Sequence, residues 1–296
     1  MNVDWAGVYP AATTAFRADE SLDLAAVVKH LDFLARAGVH GLVVLGTVGE
    51  SASLSYEEKL DVLRAAVDVA DIPVIAGVSQ TTTREAVRFA RDAETAGVDG
   101  LMVLPATLYP SDARETVAHF RSVARASGLP VLCYNNPVAY GVDLTPRMFA
   151  ELADEKTLVA IKESSDDPRR ITDLVNEVGD RYAILGGVDD LVLESAMLGA
   201  RGWISGLTNA FPRESLALWD LAVSGRWDEA VKLYRWFTPL LHLDAHPKLV
   251  QYIKLAMAEA GLGTETCRAP RLRLEGEERA RVLDLIRKAV AHAAAR

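Results

Sequence analysis

Lys162 closes a short apolar run, Leu158-Val159-Ala160-Ile161-Lys162, and carries the sharpest chemical signal in the chain. An amine whose stem lies in apolar surroundings sheds its proton readily. It then becomes the neutral nucleophile that forms a Schiff base with a carbonyl. The same position also suits a lysine that reaches solvent or pairs with Glu163. Tyr134 closes a second run, Pro130 to Tyr134. Its phenol suits a proton shuttle during imine formation, or a plain aromatic filler. Gly46-Thr47-Val48-Gly49 is a turn of small residues with a hydroxyl and backbone N–H groups, the makings of a carboxylate nest. Many strand-to-helix turns look the same. Gly186-Gly187-Val188-Asp189-Asp190 either lets a substrate approach closely or closes a turn. His242 and His246 have the i,i+4 spacing of metal ligands, but HExxH is absent and Pro247 follows, so no metal site is expected. Cys133 is expected to pack behind the wall that carries Tyr134, not to act as a nucleophile.

These side chains need strands to aim them. Eight short, unalternating runs rich in Val, Ile and Leu read as strands buried on both faces: Gly7–Pro10, Gly41–Leu45, Pro73–Gly77, Gly100–Leu104, Pro130–Tyr134, Leu158–Lys162, Tyr182–Gly186 and Gly202–Ser205. Between them lie helix-period stretches. Leu24 to Ala37 sets Leu24, Val27, Val28, Leu31 and Leu34 on one stripe, and Thr83–Ala96 and Asp112–Ala126 behave similarly. Ser55-x-x-Glu58 is a capping-box start, and Gly38, Gly97 and Gly199 stand where helices should stop. Eight strand–helix repeats predict a (β/α)8 barrel over residues 1–225. A doubly wound open sheet is the alternative, but GxGxxG is absent. Residues 226–296 carry helical patterns with no strand between them, a C-terminal helical extension. In a barrel the site lies at the C-terminal ends of the strands, where Lys162, Tyr134 and the Thr47 turn all fall.

Composition limits the partners. The chain has 296 residues and a net charge of -9, from 41 acids against 32 bases. That excess argues against nucleic acid or an anionic membrane surface as partner. Charged residues or Gly interrupt every apolar stretch before it reaches the ~20 residues of a membrane span. The first ten residues, MNVDWAGVYP, have neither the basic nor the apolar segment of a secretory signal, and the two cysteines cannot form a disulfide framework. A cytoplasmic protein is expected.

GTVGES, YNNP and IKESS, in this order and spacing, resemble the dihydrodipicolinate synthase/N-acetylneuraminate lyase family of Schiff-base aldolases, over essentially the whole chain. The resemblance implies that Lys162 forms the imine with a 2-keto acid, that Tyr134 relays the proton, and that Gly46, Thr47 and Val48 bind the carboxylate. It adds Asn136, Ser164, Gly187 and Ile204 as substrate contacts. It implies no metal or cofactor and a homotetramer built as a dimer of dimers. Tyr109 is similar to the family's tyrosine that enters a neighbouring active site. Two departures stand out. Val48 replaces the second Thr of the family's GTTGE, taken as the synthases' relay hydroxyl. Ala139 replaces an arginine that grips the second substrate's carboxylate. Asp112-Ala113-Arg114-Glu115-Thr116, CYNNPVAYGVDLTP and AIKESSDDPRRITDL resemble a narrower branch, the Δ1-pyrroline-4-hydroxy-2-carboxylate deaminases, whose substrate has one carboxylate. A 2-keto-3-deoxy sugar-acid dehydratase or aldolase, a 4-hydroxy-tetrahydrodipicolinate synthase and a non-catalytic binding barrel are the alternatives.

Overall fold

The computed structural model describes Met1 and residues 3–294. Strand and helix alternate in the order β1 (Gly7–Pro10), α1 (Leu24–Arg36), β2 (Leu42–Val44), α2 (Tyr56–Val69), β3 (Val74–Val78), α3 (Thr83–Ala96), β4 (Gly100–Val103) and α4 (Ala113–Ala124). They continue through β5 (Val131–Asn135), α5 (Pro137–Tyr140), α6 (Pro146–Glu151), β6 (Leu158–Glu163), α7 (Arg169–Val178), β7 (Ala183–Gly186), α8 (Val192–Met197) and β8 (Gly202–Ser205). Helices alone follow: α9 (Pro212–Val223), α10 (Trp227–Leu241), α11 (Leu249–Glu259) and α12 (Gly276–Ala294).

The strands form one parallel sheet in the order β1-β8-β7-β6-β5-β4-β3-β2. A parallel bridge between Ala11 and Val43 brings its two edges together, so the sheet closes as a (β/α)8 barrel. Nearly every strand residue is buried, because the helices cover the outside and side chains fill the inside. This explains the unalternating apolar runs.

Helix boundaries follow local chemistry. Ser55 accepts from the Glu58 N–H while the Glu58 carboxylate accepts from Ser55, the expected capping box that opens α2. Asp112 and Glu115 do the same at α4. Gly97 ends α3 at φ +90°, the left-handed conformation that a side chain resists. The strand ends that matter are locked together. Tyr134 and Lys162 stand opposite each other in the β5–β6 register. Just beyond them, Asn135 Nδ2 donates to Glu163 Oε2 at 3.0 Å and Asn135 Oδ1 accepts from Leu144 N at 2.9 Å. Among the described residues no helix is long and apolar enough to cross a membrane.

Candidate active site

Lys162 is buried at the mouth of the barrel, and its Nζ lies 4.1 Å from the centroid of the Tyr134 ring. Burial lowers the amine's pKa. Asp244, then Tyr140 and Asp189, oppose that shift without cancelling it. A buried amine with a lowered pKa has the chemistry of a nucleophile. Gly187, on the loop after β7, gives it room: a Cβ there would stand 2.5 Å from Lys162 Cε and would strike Ser164 Oγ. Cys133 points away from this chemistry; it is wholly buried and burial pushes its thiol pKa up.

Tyr134 is also buried, and burial raises its pKa, so the phenol keeps its proton at rest. Asn136 Nδ2 donates to its oxygen at 3.2 Å. The Tyr140 ring packs edge-on against the Tyr134 ring at 5.6 Å between centroids. The Tyr140 hydroxyl in turn meets Thr47 Oγ1 at 2.5 Å. Two phenols and one threonine hydroxyl thus stand in a row beside the amine.

This row corrects one expectation. The hydroxyl that meets the tyrosines belongs to Thr47, not to position 48, so Val48 does not break a relay. Tyr140 went unnoticed in the sequence. A local signal for it exists: Asn136 accepts from Ala139 N at 2.9 Å and Pro137 opens the turn, the Asn-Pro start of a short helix. That helix, α5, carries Tyr140 back toward β5.

The cavity between these groups has a volume of about 80 Å³. Gly46, Thr47, Val48, Asn136, Tyr134, Lys162 and Gly187 line it, so most of the expected site comes together. Ile204 does not reach it: the residue is buried within β8 opposite Tyr9, and Gly206, two positions on, lines the cavity instead. Ser164 stands behind Gly187, with its Oγ buried. Asn135 is engaged with Glu163, Asp143 and Leu144 and faces away. Tyr109 is exposed on the loop after β4.

Asp244 is the second residue that sequence reasoning missed. It lines the cavity from the turn between α10 and α11. Flanking histidines drew attention to this stretch as a metal motif, yet the acid between them is the group that enters the barrel. His242 faces outward and pairs with Asp190 at 2.6 Å. Burial and the nearby Asp189 raise the Asp244 pKa well above the usual carboxylate range, and Lys162 opposes them. Asp189 itself is held by Trp203 Nε1, Ser205 Oγ and Leu207 N at 2.9–3.0 Å, and burial raises it to about 6. Among the cavity's lining residues Lys162 is the one cation.

The Thr47 turn is clamped from behind. Glu50, buried and with φ +52°, accepts from Lys254 Nζ at 2.5 Å and from Arg268 N at 3.1 Å. Lys254 also donates to Thr266 O at 2.8 Å, and both Lys254 and Arg268 lie 4.5 Å from the centre of the Phe16 ring. The C-terminal helices therefore hold the turn that presents Thr47.

Residues 4–289 match the Dihydrodipicolinate synthetase family. A 4-hydroxy-tetrahydrodipicolinate synthase of Methanothrix thermoacetophila is 34% identical over 286 residues, covering 95% of this chain and 96% of the relative. The crystal structure of dihydrodipicolinate synthase from Aquifex aeolicus superimposes with a TM-score of 0.92 at 29% identity, covering 96% of this chain and 98% of that one. YagE, an E. coli K12 prophage protein of the dihydrodipicolinic acid synthase family solved in complex with pyruvate, gives a TM-score of 0.90 at 28% identity over 96% and 98% of the two chains.

Proposed function

Since the chain belongs to the dihydrodipicolinate synthetase family, a family of class I lyases, we propose that it is a lyase in which Lys162 forms a Schiff base with a 2-keto acid or its cyclic imine. The observation that carries this reading is the buried Lys162 amine over the Tyr134 ring, with its pKa lowered by desolvation. A binding-only barrel has no use for such an amine. The chemistry asks for no metal or cofactor, because the protonated imine is itself the electron sink.

For the substrate we propose Δ1-pyrroline-4-hydroxy-2-carboxylate, deaminated to 2-oxoglutarate semialdehyde and ammonia. Lys162 adds to the ring C=N carbon. The ring nitrogen takes the Tyr134 proton and departs as an amine, leaving the imine on Lys162. Loss of the adjacent proton gives an enamine, which expels the hydroxyl as water. Proton shifts then move the new C=C bond toward the carbon that bears the amine until its C–N bond is an imine, and two waters hydrolyse the two C=N bonds, releasing ammonia and freeing the lysine. What supports this substrate is the cavity lining: Ala139 in place of an arginine, one basic side chain that is already the nucleophile, and the Asp244 carboxyl. A second substrate carboxylate finds no partner there, and an Arg–carboxylate pair is a strong contact to forgo.

A second reading, 4-hydroxy-tetrahydrodipicolinate synthesis, is favoured by the names of the curated relatives, and with Thr47 available the relay does not count against it. The reading also includes a cytoplasmic homotetramer, supported by Leu108 and Tyr109, 67% and 51% exposed on one loop.

The test is kcat/KM on one preparation with the pyrroline, with 2-keto-3-deoxy acids, and with pyruvate plus aspartate semialdehyde. The pyrroline is expected to lead by orders of magnitude. Equal or greater synthase activity overturns the substrate assignment. Borohydride with pyruvate should add the ligand's mass to the peptide holding Lys162, and an adduct that persists in Lys162→Ala overturns the chemistry.

A further inference from the structure

We propose that the Asp244 carboxyl binds the hydroxyl on the carbon beta to the imine carbon of the Lys162-bound substrate and gives it a proton as it leaves as water. The inference rests on the one-carboxylate reading above and assigns the group that performs its elimination step.

The first ground is placement. Asp244 comes from the α10–α11 turn, yet its carboxyl reaches the end of β8, directly over Gly206. A Cβ on Gly206 would strike Asp244 Oδ1 and stand 3.0 Å from its Cγ. Glycine at 206 keeps that space for the carboxyl. The turn is anchored on both sides: His242 pairs with Asp190 at 2.6 Å, Asp244 N donates to Leu241 O at 3.0 Å, and Lys248 Nζ donates to Glu278 at 2.6 Å. The acid is thus presented by a fixed segment.

The second ground is unused bonding capacity. Asp244 Oδ1 is buried and has no hydrogen-bond partner among the described residues. A buried carboxyl oxygen left so costs stability, and ligand sites are where such a cost is tolerated. The other polar groups of the lining are committed. Thr47 and Tyr140 bond each other, and Asn136 is shared between Tyr134 and Ala139 N. Asp189, close by, has both oxygens bonded. Beyond Lys162 and the Tyr134 hydroxyl, Asp244 is the lining group free to take a substrate polar atom.

The third ground is the chemistry. A carboxyl in this place offers no counter-charge to a second substrate carboxylate and welcomes a hydroxyl. Burial and Asp189 favour its neutral form, which can donate. The step balances. Tyr134, having given its proton to the departing ring nitrogen, takes one from the carbon beside the imine. The enamine pair forms the new C=C bond while the C–O bond breaks with its pair on oxygen. The Asp244 proton completes the water. Asp244 is left as carboxylate and regains its proton from the water consumed in the final hydrolysis. A 2-keto-3-deoxy sugar acid carries its hydroxyl on the same carbon and would use the same group.

The experiment compares wild type, Asp244→Asn and Asp244→Ala in two assays. One is deuterium exchange of the pyruvate methyl in D2O, which needs Lys162 and Tyr134 but has no hydroxyl to expel. The other is turnover of the hydroxylated pyrroline and of a 2-keto-3-deoxy acid. Both variants are expected to keep exchange within ~3-fold and to lose roughly 10²–10⁴-fold in turnover, the worth of a positioned acid. Retained exchange also reports a folded site. Parallel loss in both assays would reassign Asp244 to tuning Lys162, and full turnover in both variants would remove it from the mechanism; either overturns the proposal. A wild type that turns over neither hydroxylated substrate yet joins pyruvate to aspartate semialdehyde overturns the substrate reading, and this role with it.

Discussion

The end of β6 is what buries the Lys162 amine. Its ammonium form is penalised by burial. The sign is therefore fixed: the amine is neutral at pH values where an ordinary lysine, pKa roughly 10.4, is still protonated. Borohydride trapping of a 2-keto acid should rise with pH through a midpoint below that value. A midpoint at the ordinary value contradicts the assignment. Lys162, Tyr134 and Thr47 were legible in the sequence because each closes or follows a strand, and the strand pattern says where strand ends gather. Tyr140 and Asp244 were not. One sits in a single turn of helix and the other in a turn between two helices, and no periodicity tells which way such segments face. Their place at the site is decided by packing between distant parts of the chain.

At the scale of elements the strands read plainly from their apolar runs, because burial on both faces removes alternation. Their ends differed by a residue or so: β5 continues to Asn135 and β6 to Glu163, since these polar side chains bond each other instead of turning out. The Glu50–Lys254 pair had no sequence signal, as 204 positions separate its partners. Both side chains are almost wholly inaccessible, at 2% and 0% exposure. Removing one partner from a buried pair leaves the other charge uncompensated, which typically costs about 3–5 kcal/mol. Lys254→Met should lower the free energy of unfolding in urea by about that amount. It should also raise KM, since the Thr47 turn loses its anchor. A melting curve and KM equal to wild type would show that Arg268 and Arg271 hold Glu50 unaided.

For the whole molecule, the apolar loop side chains Leu108 and Tyr109 face outward beside the mouth. Light scattering at micromolar concentration should give about four times the 32.1 kDa chain mass. A single-chain mass sinks the tetramer, although Tyr140 would still complete the row of hydroxyls within one chain. The clamp on Glu50 has a further consequence, for the order in which the protein is made. A ribosome that has translated as far as Ser224 has produced all eight strands and Lys162. It has not yet produced Asp244, Lys254 or Arg268. At ~5–20 residues per second these arrive seconds later. Until then Glu50 is a charge without its ammonium partner and the mouth lacks one wall. The nascent chain can thus wind its barrel early while its amine stays in an unfinished pocket, and competence for chemistry comes only with the last quarter of synthesis.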